Sequence, residues 1–436
     1  MEYDFLVIGG GICGLEIAAL CSTLGHTLVV EKTNKIGGRA RVINKEGFKL
    51  DWGPHPVRFG PHSALAKTLR DVGIKDAEFI KPGLTYAYLK DGTKYIFPSG
   101  LKGYLKTKMI PTLKTIKVFF DIYRKMRKNK RAILETSIDE YCIKNQIDPR
   151  IHKFLLIGSA AMQVNPFGNR SSIGEFLLNI LEVVKKKSVY YPKGGWGYFF
   201  SSLSNVIKKN GGEIRLNTEV KKIVIEKNVA VGVETETEMI NSECFISVIP
   251  VQNLSKILPT NISPKNFIKK CNNLRPTAGI CIEFGLSEKV SEETLVFFED
   301  PPSFGLIPTN MDPQIAPTDK SLMSFFAPTD LDIVKDKSKR NQYYAQFRKQ
   351  IMSIYPSIEE KLLFERPLFL QMVDGVEIAI DQHRMNRPKP TELDIKNLYL
   401  TGDSIGGEGA GGDIGHTSVR ECFKRIVRDD KKKKDS

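Results

Sequence analysis

A glycine-rich turn close to the N-terminus constrains the fold of this 436-residue chain more than any other feature. The turn, residues 9–14, follows an apolar run of β-forming residues at 3–8 and precedes a stretch, 14–24, with apolar residues at helical spacing. A β-rich run, a cluster of glycines and a helical period in that order predict a strand, a tight turn and a helix. The chain therefore opens as the first half of a βαβ unit.

The glycines of this turn are spaced as GxGxxG, and each has its own physical reason to be glycine. Gly9 allows the tight turn, Gly11 lets a ligand approach the backbone, and Gly14 lets the helix pack closely against the strand. The free N–H groups and the positive dipole end of the helix face the ligand side of the turn. Each favourable contact with a negative charge there contributes roughly 0.3 to 2 kcal/mol. We expect the diphosphate of a dinucleotide to bind here.

A second apolar run, residues 26–31, predicts a strand that ends in an acidic residue, Glu31. In βαβ units that bind dinucleotides, a carboxylate at this point accepts hydrogen bonds from ribose hydroxyls, and it disfavours a ribose 2′-phosphate. A GxGxxG pattern alone is weak evidence. Strand, glycines, helix, strand and acid in this order favour nucleotide binding over an unrelated turn.

Charge and cysteine content narrow the classes of partner and compartment. The chain has 65 Lys and Arg against 50 Asp and Glu, a net charge of +15, which permits an anionic membrane surface or nucleic acid as partner. We find no nucleic-acid recognition module, so we expect no nucleic acid.

The seven cysteines show no CxxC pair and no zinc spacing, which predicts reduced thiols, a cytoplasmic protein and no metal site. No apolar window reaches roughly 18 residues and the first strand begins at once, so neither a transmembrane helix nor a signal peptide is expected.

Residues 101–131 form a predicted basic helical segment, with eleven Lys or Arg against one acid, Asp121. Apolar residues recur along it at helical intervals: Leu113, Ile116, Phe120 and Tyr123. Such a helix could rest peripherally on an anionic membrane face, where each basic residue contributes about 1 kcal/mol. A solvated helix explains the same pattern equally well.

A second glycine pair, Gly37 and Gly38, precedes Arg39, and an Asp-x-Gly follows at Asp51 and Gly53. Together with the first turn and Glu31, these residues resemble the FAD-binding amine oxidase and phytoene desaturase superfamily. The resemblance implies that Gly37, Gly38 and Arg39 lie along the FAD diphosphate and near the flavin ring. The chemistry agrees, because glycines allow close approach and Arg supplies a permanently charged phosphate fork. A solvated turn with an ion-paired Arg39 is the alternative.

Residues 397–416, near the end of the chain, resemble the second flavin signature of this family. A predicted strand ends in Gly402 and Asp403, a glycine-rich run follows, and a helix begins. The resemblance implies that Asp403 contacts the ribityl chain or the diphosphate. It also implies that the backbone around Gly412, Asp413 and Ile414 stabilises negative charge on the pyrimidine edge of the flavin during reduction.

The resemblance also implies an α/β fold with two domains: a Rossmann-like FAD-binding domain of the glutathione reductase type and an inserted α+β substrate domain. The FAD-binding domain is expected at residues 1–60, 190–250 and 390–428, and the backbone of Val220 is expected to meet the adenine. The substrate domain takes residues 61–189 and 251–389, and the tail, 429–436, is expected to be disordered.

The expected activity is that of an FAD-dependent oxidoreductase. The resemblance implies non-covalent FAD and a large apolar substrate, polyene-like or porphyrinogen-like, that is dehydrogenated or isomerised by hydride transfer to flavin N5. A flavin amine oxidase is the alternative, and the non-catalytic escort proteins of prenylated small GTPases are an alternative of another class. The catalytic acid or base and the oligomeric state remain open.

A few further residues are candidates for the functional site. His55 and His416 lie next to motifs but are more simply explained as structural, and Arg384 and Arg387 as surface arginines. Two apolar helical stretches, 160–162 and 176–178, could line an apolar cavity or belong to the core.

Overall fold

The computed structural model describes residues 3–98, 100–186, 189–259 and 265–435. The strands are β1 Tyr3–Ile8, β2 Thr27–Val30, β3 Ile43–Lys45, β4 Phe48–Leu50, β5 Phe79–Ile80, β6 Tyr86–Tyr88, β7 Lys94–Ile96, β8 Tyr191–Pro192, β9 Glu213–Arg215, β10 Lys222–Glu226, β11 Val229–Glu234, β12 Met239–Ser247, β13 Ala278–Leu286, β14 Leu295–Glu299, β15 Pro302–Leu306, β16 Ser321–Thr329, β17 Leu362–Leu370 and β18 Leu398–Leu400.

The α-helices are α1 Ile12–Cys21, α2 Ala64–Asp71, α3 Gly100–Lys106, α4 Thr112–Lys128, α5 Lys130–Leu134, α6 Ile138–Lys144, α7 Pro149–Met162, α8 Ile173–Lys186, α9 Gly197–Lys209, α10 Lys265–Asn272, α11 Leu331–Lys335, α12 Lys337–Ile354, α13 Ile358–Lys361 and α14 Gly412–Asp435. None of the helices in the described part of the chain combines the length and the hydropathy needed to cross a bilayer.

The first sheet joins strands from the beginning, the middle and the end of the chain. Its order is β10-β11-β12-β1-β2-β9, with β18 beside β12. The pairs of β1 with β12 and β2, of β2 with β9 and of β12 with β18 are parallel. Because α1, α9 and α14 cover one face of this sheet and a second apolar cluster covers the other, β2 is buried along its whole length. This is the Rossmann-like part of an α/β fold.

The second sheet has the order β17-β13-β16-β15-β14-β6-β7, and its neighbours are antiparallel except for β14 and β6. Helices α4 to α8 contribute to the apolar cluster on one face, and α12 and α13 pack on the other. Every residue of β13 and β16 is buried for this reason. This mixed sheet, with both faces covered, is the α+β part of the fold.

The predicted basic segment is not one helix. Pro111 separates α3 from α4, because proline lacks an N–H and its ring fixes the backbone, so it lies at the start of a helix rather than inside one. Asn129 separates α4 from α5, and its side chain accepts a hydrogen bond from the N–H of Ala132 at 3.1 Å as a helix cap.

The C-terminal tail also differs from the expectation of disorder. Residues up to Asp435 continue α14, while residue 436 lies outside the described residues. Asp429 explains part of this difference, because it pairs with Arg425 one turn earlier at 3.5 Å and accepts a hydrogen bond from the hydroxyl of Tyr399 at 3.1 Å. The lysines that follow have good helix propensity, so nothing in the sequence ends the helix earlier.

Candidate functional site

The N-terminal glycine turn lies between β1 and α1, as predicted. Gly9 has φ +112°, a conformation that favours glycine, and Gly11 is the N-cap residue of α1. A Cβ atom on Gly14 would overlap the carbonyl oxygen of Gly9, so the helix packs directly on the turn. The three glycines therefore have the local geometry that the sequence pattern implies.

The second glycine pair lies against the first turn. The N–H of Gly37 donates to the carbonyl oxygen of Gly10 at 2.9 Å, and a Cβ atom on Gly38 would come within 3.1 Å of the Cα atom of Gly11. Gly37 and Gly38 both have positive φ, at +109° and +57°. The two glycine segments therefore pack backbone against backbone.

Glu31 directly follows β2, and its side chain is buried beside the first glycine turn. Its Oε2 accepts a hydrogen bond from the N–H of Gly10 at 2.8 Å, and its Oε1 accepts from the N–H and the hydroxyl of Thr33. The N–H of Thr218 donates to the Glu31 carbonyl oxygen at 2.9 Å, which brings the segment of Val220 alongside. The Val220 side chain belongs to the apolar core, so only its backbone is available to a ligand.

The C-terminal signature meets the N-terminal one through Arg39. Its Nη2 donates to Oδ1 of Asp403 at 2.7 Å, and its Nη1 donates to the carbonyl oxygen of Val373 at 3.1 Å. Gly402 has φ +120°, and the second oxygen of Asp403 accepts from the N–H of Gly375 at 2.7 Å. Burial raises the pKa of Asp403, but the charge and hydrogen bond of Arg39 outweigh it, so the pKa lies below its ordinary value.

The start of α14 closes the same site. A Cβ atom on Gly415 would come within 2.6 Å of the Cys13 sulfur, so the first turns of α14 and α1 touch. Gly412 and Asp413 line the cavity described below, and Asp413 pairs with Arg58 at 3.2 Å. Burial raises the pKa of Asp413 above its ordinary value despite Arg58. The Ile414 side chain lies in the core, and its backbone N–H donates to the carbonyl oxygen of Gly411 at 3.2 Å, so a ligand would have to share this N–H.

We call residues 9–14, 37–39, 402–403 and 412–415 together the cradle. A mostly apolar cavity adjoins the cradle at Arg39, Asp403 and Gly412 and is lined by residues of the second sheet. Its polar lining comes from Arg39, His55, Arg58, Asp374, Asp403, Asp413 and His416. Its apolar lining includes Phe97, Phe154, Met162, Ile180, Phe297 and Phe326. Of the stretches proposed as lining, 160–162 contributes Ala161 and Met162, whereas Phe176 is core. Arg39, Asp403, Gly412 and Asp413 thus line the same cavity, called the chamber below, as these apolar residues.

Two further titratable side chains, Asp374 and His55, line the cavity, and the sequence pattern does not indicate Asp374. Asp374 accepts a hydrogen bond from the hydroxyl of Thr277 at 3.2 Å, and burial, then the charge of Asp403, raises its pKa to about 7. The ring nitrogen Nδ1 of His55 lies 2.9 Å from the carbonyl oxygen of Gly53, and burial lowers the pKa of His55. No motif marks Asp374, because its role depends on neighbours far away in the sequence.

The interpretation of Arg384 and Arg387 as surface residues is wrong. Arg387 is fully buried, and both arginines pair with Glu175, which is also fully buried. Arg384 donates to Glu175 from Nη2 at 2.8 Å, and Arg387 donates from Nη1 to the carbonyl oxygen of Gly407 at 3.0 Å. These arginines therefore anchor the glycine-rich run before α14 to helix α8 rather than reach a ligand.

The cradle fits the diphosphate of a dinucleotide. A Cβ atom on Gly11 would meet no protein atom nearer than the Cα atom of Gly38, 4.0 Å away, so the space beside this glycine is open. No side chain caps the N-terminus of α1 among the described residues, and its first turn has no acidic residue. The free N–H groups, the helix dipole and Arg39 are the chemistry that binds an anion.

A βαβ cradle with two remote glycine signatures and an adjoining apolar chamber defines a flavoprotein oxidoreductase of two-domain type. Residues 12–416 match the model of the family described as flavin containing amine oxidoreductase. The chain belongs to this family and is an FAD-dependent oxidoreductase. The expected cofactor, FAD, and the expected fold class are thereby confirmed.

The proteins to which the chain is similar include two named desaturases. The chain is 27% identical to a phytoene desaturase of Cercospora nicotianae over 53% of this chain but only 42% of that one. It is 22% identical to a 4,4'-diapophytoene desaturase (4,4'-diaponeurosporene-forming) of Staphylococcus aureus over 97% of this chain and 98% of that one. The crystal structure of an oxidoreductase from Methanosarcina mazei matches with a TM-score of 0.80 at 21% identity, covering 97% of this chain and 100% of that one. At this identity the structural match shows the fold alone.

Proposed function

We propose that this protein dehydrogenates a large apolar substrate, polyene-like or porphyrinogen-like, with hydride transfer to N5 of bound FAD, or isomerises such a substrate with no net reduction of FAD. The observation that carries the proposal is the chamber that opens from the cofactor cradle, whose wall is largely aromatic and aliphatic. An apolar wall recognises an apolar substrate and excludes water from the reacting atoms. The desaturases among the relatives support the same class of substrate.

The proposed FAD site uses the residues brought together in the cradle. Gly9, Gly11, Gly14, Gly37, Gly38 and Arg39 would hold the diphosphate, Glu31 the ribose, the Val220 backbone the adenine, Gly402 and Asp403 the ribityl chain, and the backbone of Gly412, Asp413 and Ile414 the pyrimidine edge. When bound, FAD supplies the two-electron acceptor. The proposed FAD-binding domain, 1–60, 190–250 and 390–428, contains every strand of the first sheet.

His55 is our candidate for the base that accepts a proton from the substrate. With Nδ1–H donating to the carbonyl oxygen of Gly53, the second nitrogen, Nε2, carries a lone pair, and among the described residues it has no hydrogen-bond partner. His55 lines the chamber, and its lowered pKa keeps the ring neutral and basic near pH 7. Dehydrogenation removes a hydride and a proton from the substrate. A neutral base in the chamber could accept the proton.

The test is anaerobic mixing of the holoprotein with one member of each substrate class: a polyene, a porphyrinogen and an amine. Flavins in general absorb at roughly 450 nm. For a dehydrogenation, we expect this absorbance to bleach with a polyene or a porphyrinogen. Bleaching with the amine alone would contradict the proposal. An ammonium ion needs an ionised carboxylate, and Asp374, with its pKa raised to about 7, is a poor partner for it.

A membrane surface is the proposed source of the substrate. On α4 the apolar residues Val118, Ile122 and Met126 face the core, yet Leu113 is 79% and Phe120 67% exposed. These exposed side chains lie among basic residues on the same helix. An outer face with both apolar and basic side chains matches the surface of an anionic bilayer.

The chamber lies close to this exposed face. Helix α8 packs against α4, with the rings of Phe119 and Phe176 6.4 Å apart. Ile180 and Val183 of α8 line the chamber, while Val184, one residue further, is 70% exposed. An apolar substrate could therefore pass from a bilayer to the chamber along α8.

Neutralising Lys114, Lys117, Arg124 and Lys128 to Gln should weaken binding to vesicles of phosphatidylglycerol and phosphatidylcholine, by up to about 4 kcal/mol at about 1 kcal/mol per residue. The matched control neutralises four exposed lysines elsewhere: Lys335, Lys337, Lys339 and Lys349. Equal pelleting of the two variants in a sedimentation assay would leave α4 as a solvated helix.

A further inference from the structure

A buried pair of side chains, Glu16 and His416, joins the two helices whose first turns form the cradle. Glu16 lies on α1 and His416 in the first turns of α14. The Nδ1–H of His416 donates to Oε1 of Glu16, and both side chains are almost completely buried. The GxGxxG pattern needs no acid at residue 16, so this pair requires its own explanation.

The two members of the pair differ in their position relative to the chamber. His416 lines the chamber, and its ring stacks on Trp196 at a centroid distance of 6.5 Å, whereas Glu16 lies behind it. The second oxygen of Glu16, Oε2, is buried and has no hydrogen-bond partner among the described residues. A buried carboxylate with an unsatisfied oxygen is costly unless a cation lies next to it. His416 is the side chain that can supply this cation.

The charges around His416 favour its protonated form. Besides Glu16, the groups facing it are Asp413 from its own helix, Asp403 from the loop after β18 and the thiol of Cys13 from α1. Burial lowers the pKa of His416, but the charge and hydrogen bond of Glu16, then Asp413 and Asp403, raise it above its ordinary value. Both aspartates are themselves paired, Asp413 with Arg58 and Asp403 with Arg39, which leaves Glu16 as the direct partner.

A metal ion is a poorer fit to this place than a proton. The ligand atoms of Cys13, Glu16 and His416 lie within 4.8 Å of one another, although the sequence predicts no metal site. Burial, then the charges of Glu16 and Asp403, raises the pKa of the Cys13 thiol well above its ordinary value. Metal binding needs the thiolate, which these surroundings disfavour.

We propose that Glu16 holds His416 as an imidazolium at the chamber wall, and that this positive charge favours reduced over oxidised FAD. The proposal rests on the placement of FAD in the cradle and not on the identity of the substrate. Reduction adds negative charge to the flavin, and a fixed positive group in a buried site stabilises that charge. Glu16 is then a positioning residue that acts through His416 and tunes the reduction potential.

The first experiment measures the midpoint potential of bound FAD by equilibration with a redox dye, without any substrate. We expect Glu16→Gln to lower the affinity for reduced FAD relative to oxidised FAD at least tenfold, which is about 30 mV for a two-electron couple. The matched control is Glu293→Gln, because Glu293 is a buried carboxylate that pairs with Lys94 and does not line the chamber. Equal potentials for the wild type and Glu16→Gln would overturn the proposal.

The second experiment reads the charge of His416 directly in the wild type, which keeps the proposal testable if Glu16→Gln loses FAD. In ¹⁵N-histidine NMR spectra, one of the six histidines should remain an imidazolium above pH 7, and its signal should vanish in His416→Gln. A neutral ring at His416, or a stoichiometric metal ion in the purified protein, would contradict the proposal. Bleaching by a polyene bears on the substrate alone, so the two proposals can fail separately.

Discussion

Substituting Gly11 by alanine should expel FAD and leave the fold intact. A Cβ atom at this position would meet no protein atom closer than 4.0 Å, and its φ of −70° is accessible to alanine. We therefore expect the free energy of unfolding of the apoprotein to change by less than about 1 kcal/mol. The methyl group would instead occupy the space where the diphosphate has to approach the backbone.

The loss of cofactor affinity can be estimated from the hydrogen bonds that would be broken. A hydrogen bond from a backbone N–H to a charged group contributes about 1.5 to 3 kcal/mol, and a methyl group at Gly11 would lengthen one or two of them. The binding free energy of FAD should then weaken by about 2 to 4 kcal/mol, so its dissociation constant should rise roughly thirty- to a thousand-fold. Titration of the apoprotein with FAD, followed by flavin fluorescence, measures this change.

Two other glycines make the comparison specific. Gly83 is exposed, and a Cβ atom there would lie 3.7 Å from the hydroxyl of Thr294, so Gly83→Ala should alter neither stability nor FAD affinity. Gly14→Ala would clash with the carbonyl oxygen of Gly9 and should destabilise the fold itself. If Gly11→Ala bound FAD as tightly as Gly83→Ala does, the diphosphate would not lie at this turn.

Two further substitutions test the buried charges around the site. Because the pKa of Asp374 is raised to about 7, the free energy of unfolding should fall as pH rises from about 4 to 7, by at most about 4 kcal/mol. Asp374→Asn should remove this loss. The same pH dependence of the free energy of unfolding in both proteins, measured by urea unfolding, would refute the prediction. Glu175→Ala should cost about 3 to 5 kcal/mol because the fully buried Arg387 and the partly buried Arg384 lose their partner. Glu182→Ala on the same helix, where the acid pairs with Lys186 at the surface, should cost about 1 kcal/mol or less, and similar unfolding midpoints for the two variants would contradict this.

The parts of the site that the sequence predicts are those built by short-range geometry. Gly9 needs a positive φ, and Gly14 needs the absence of a side chain, so their spacing alone indicates the turn. The helix N-terminus and the acid at Glu31 follow within one βαβ unit. Such features depend on neighbours in the sequence, which is why the cradle could be predicted in advance.

The features that the sequence does not predict depend on contacts between distant residues. Arg387 and Glu175 are 212 residues apart, and nothing near either one indicates that both would be buried. Asp374 acquires its raised pKa from burial and from Asp403, which lies on a different loop. Charged residues are usually exposed, so a sequence pattern assigns them to the surface unless their partner is known.

The Arg39–Asp403 bond implies that FAD binding reports on the folding of the whole chain. These two residues are 364 positions apart, and they meet only when β18 has joined the sheet beside β12 and β1 has joined its other side. A ligand that binds only the assembled cradle stabilises the folded state in proportion to the logarithm of its concentration over its dissociation constant. A chain whose last strand has not joined the sheet lacks half of the cradle and gains none of this stabilisation. If FAD occupies the cradle as proposed, the flavin content of a purified sample cannot exceed the fraction of chains in which the first and the last strands lie in one sheet.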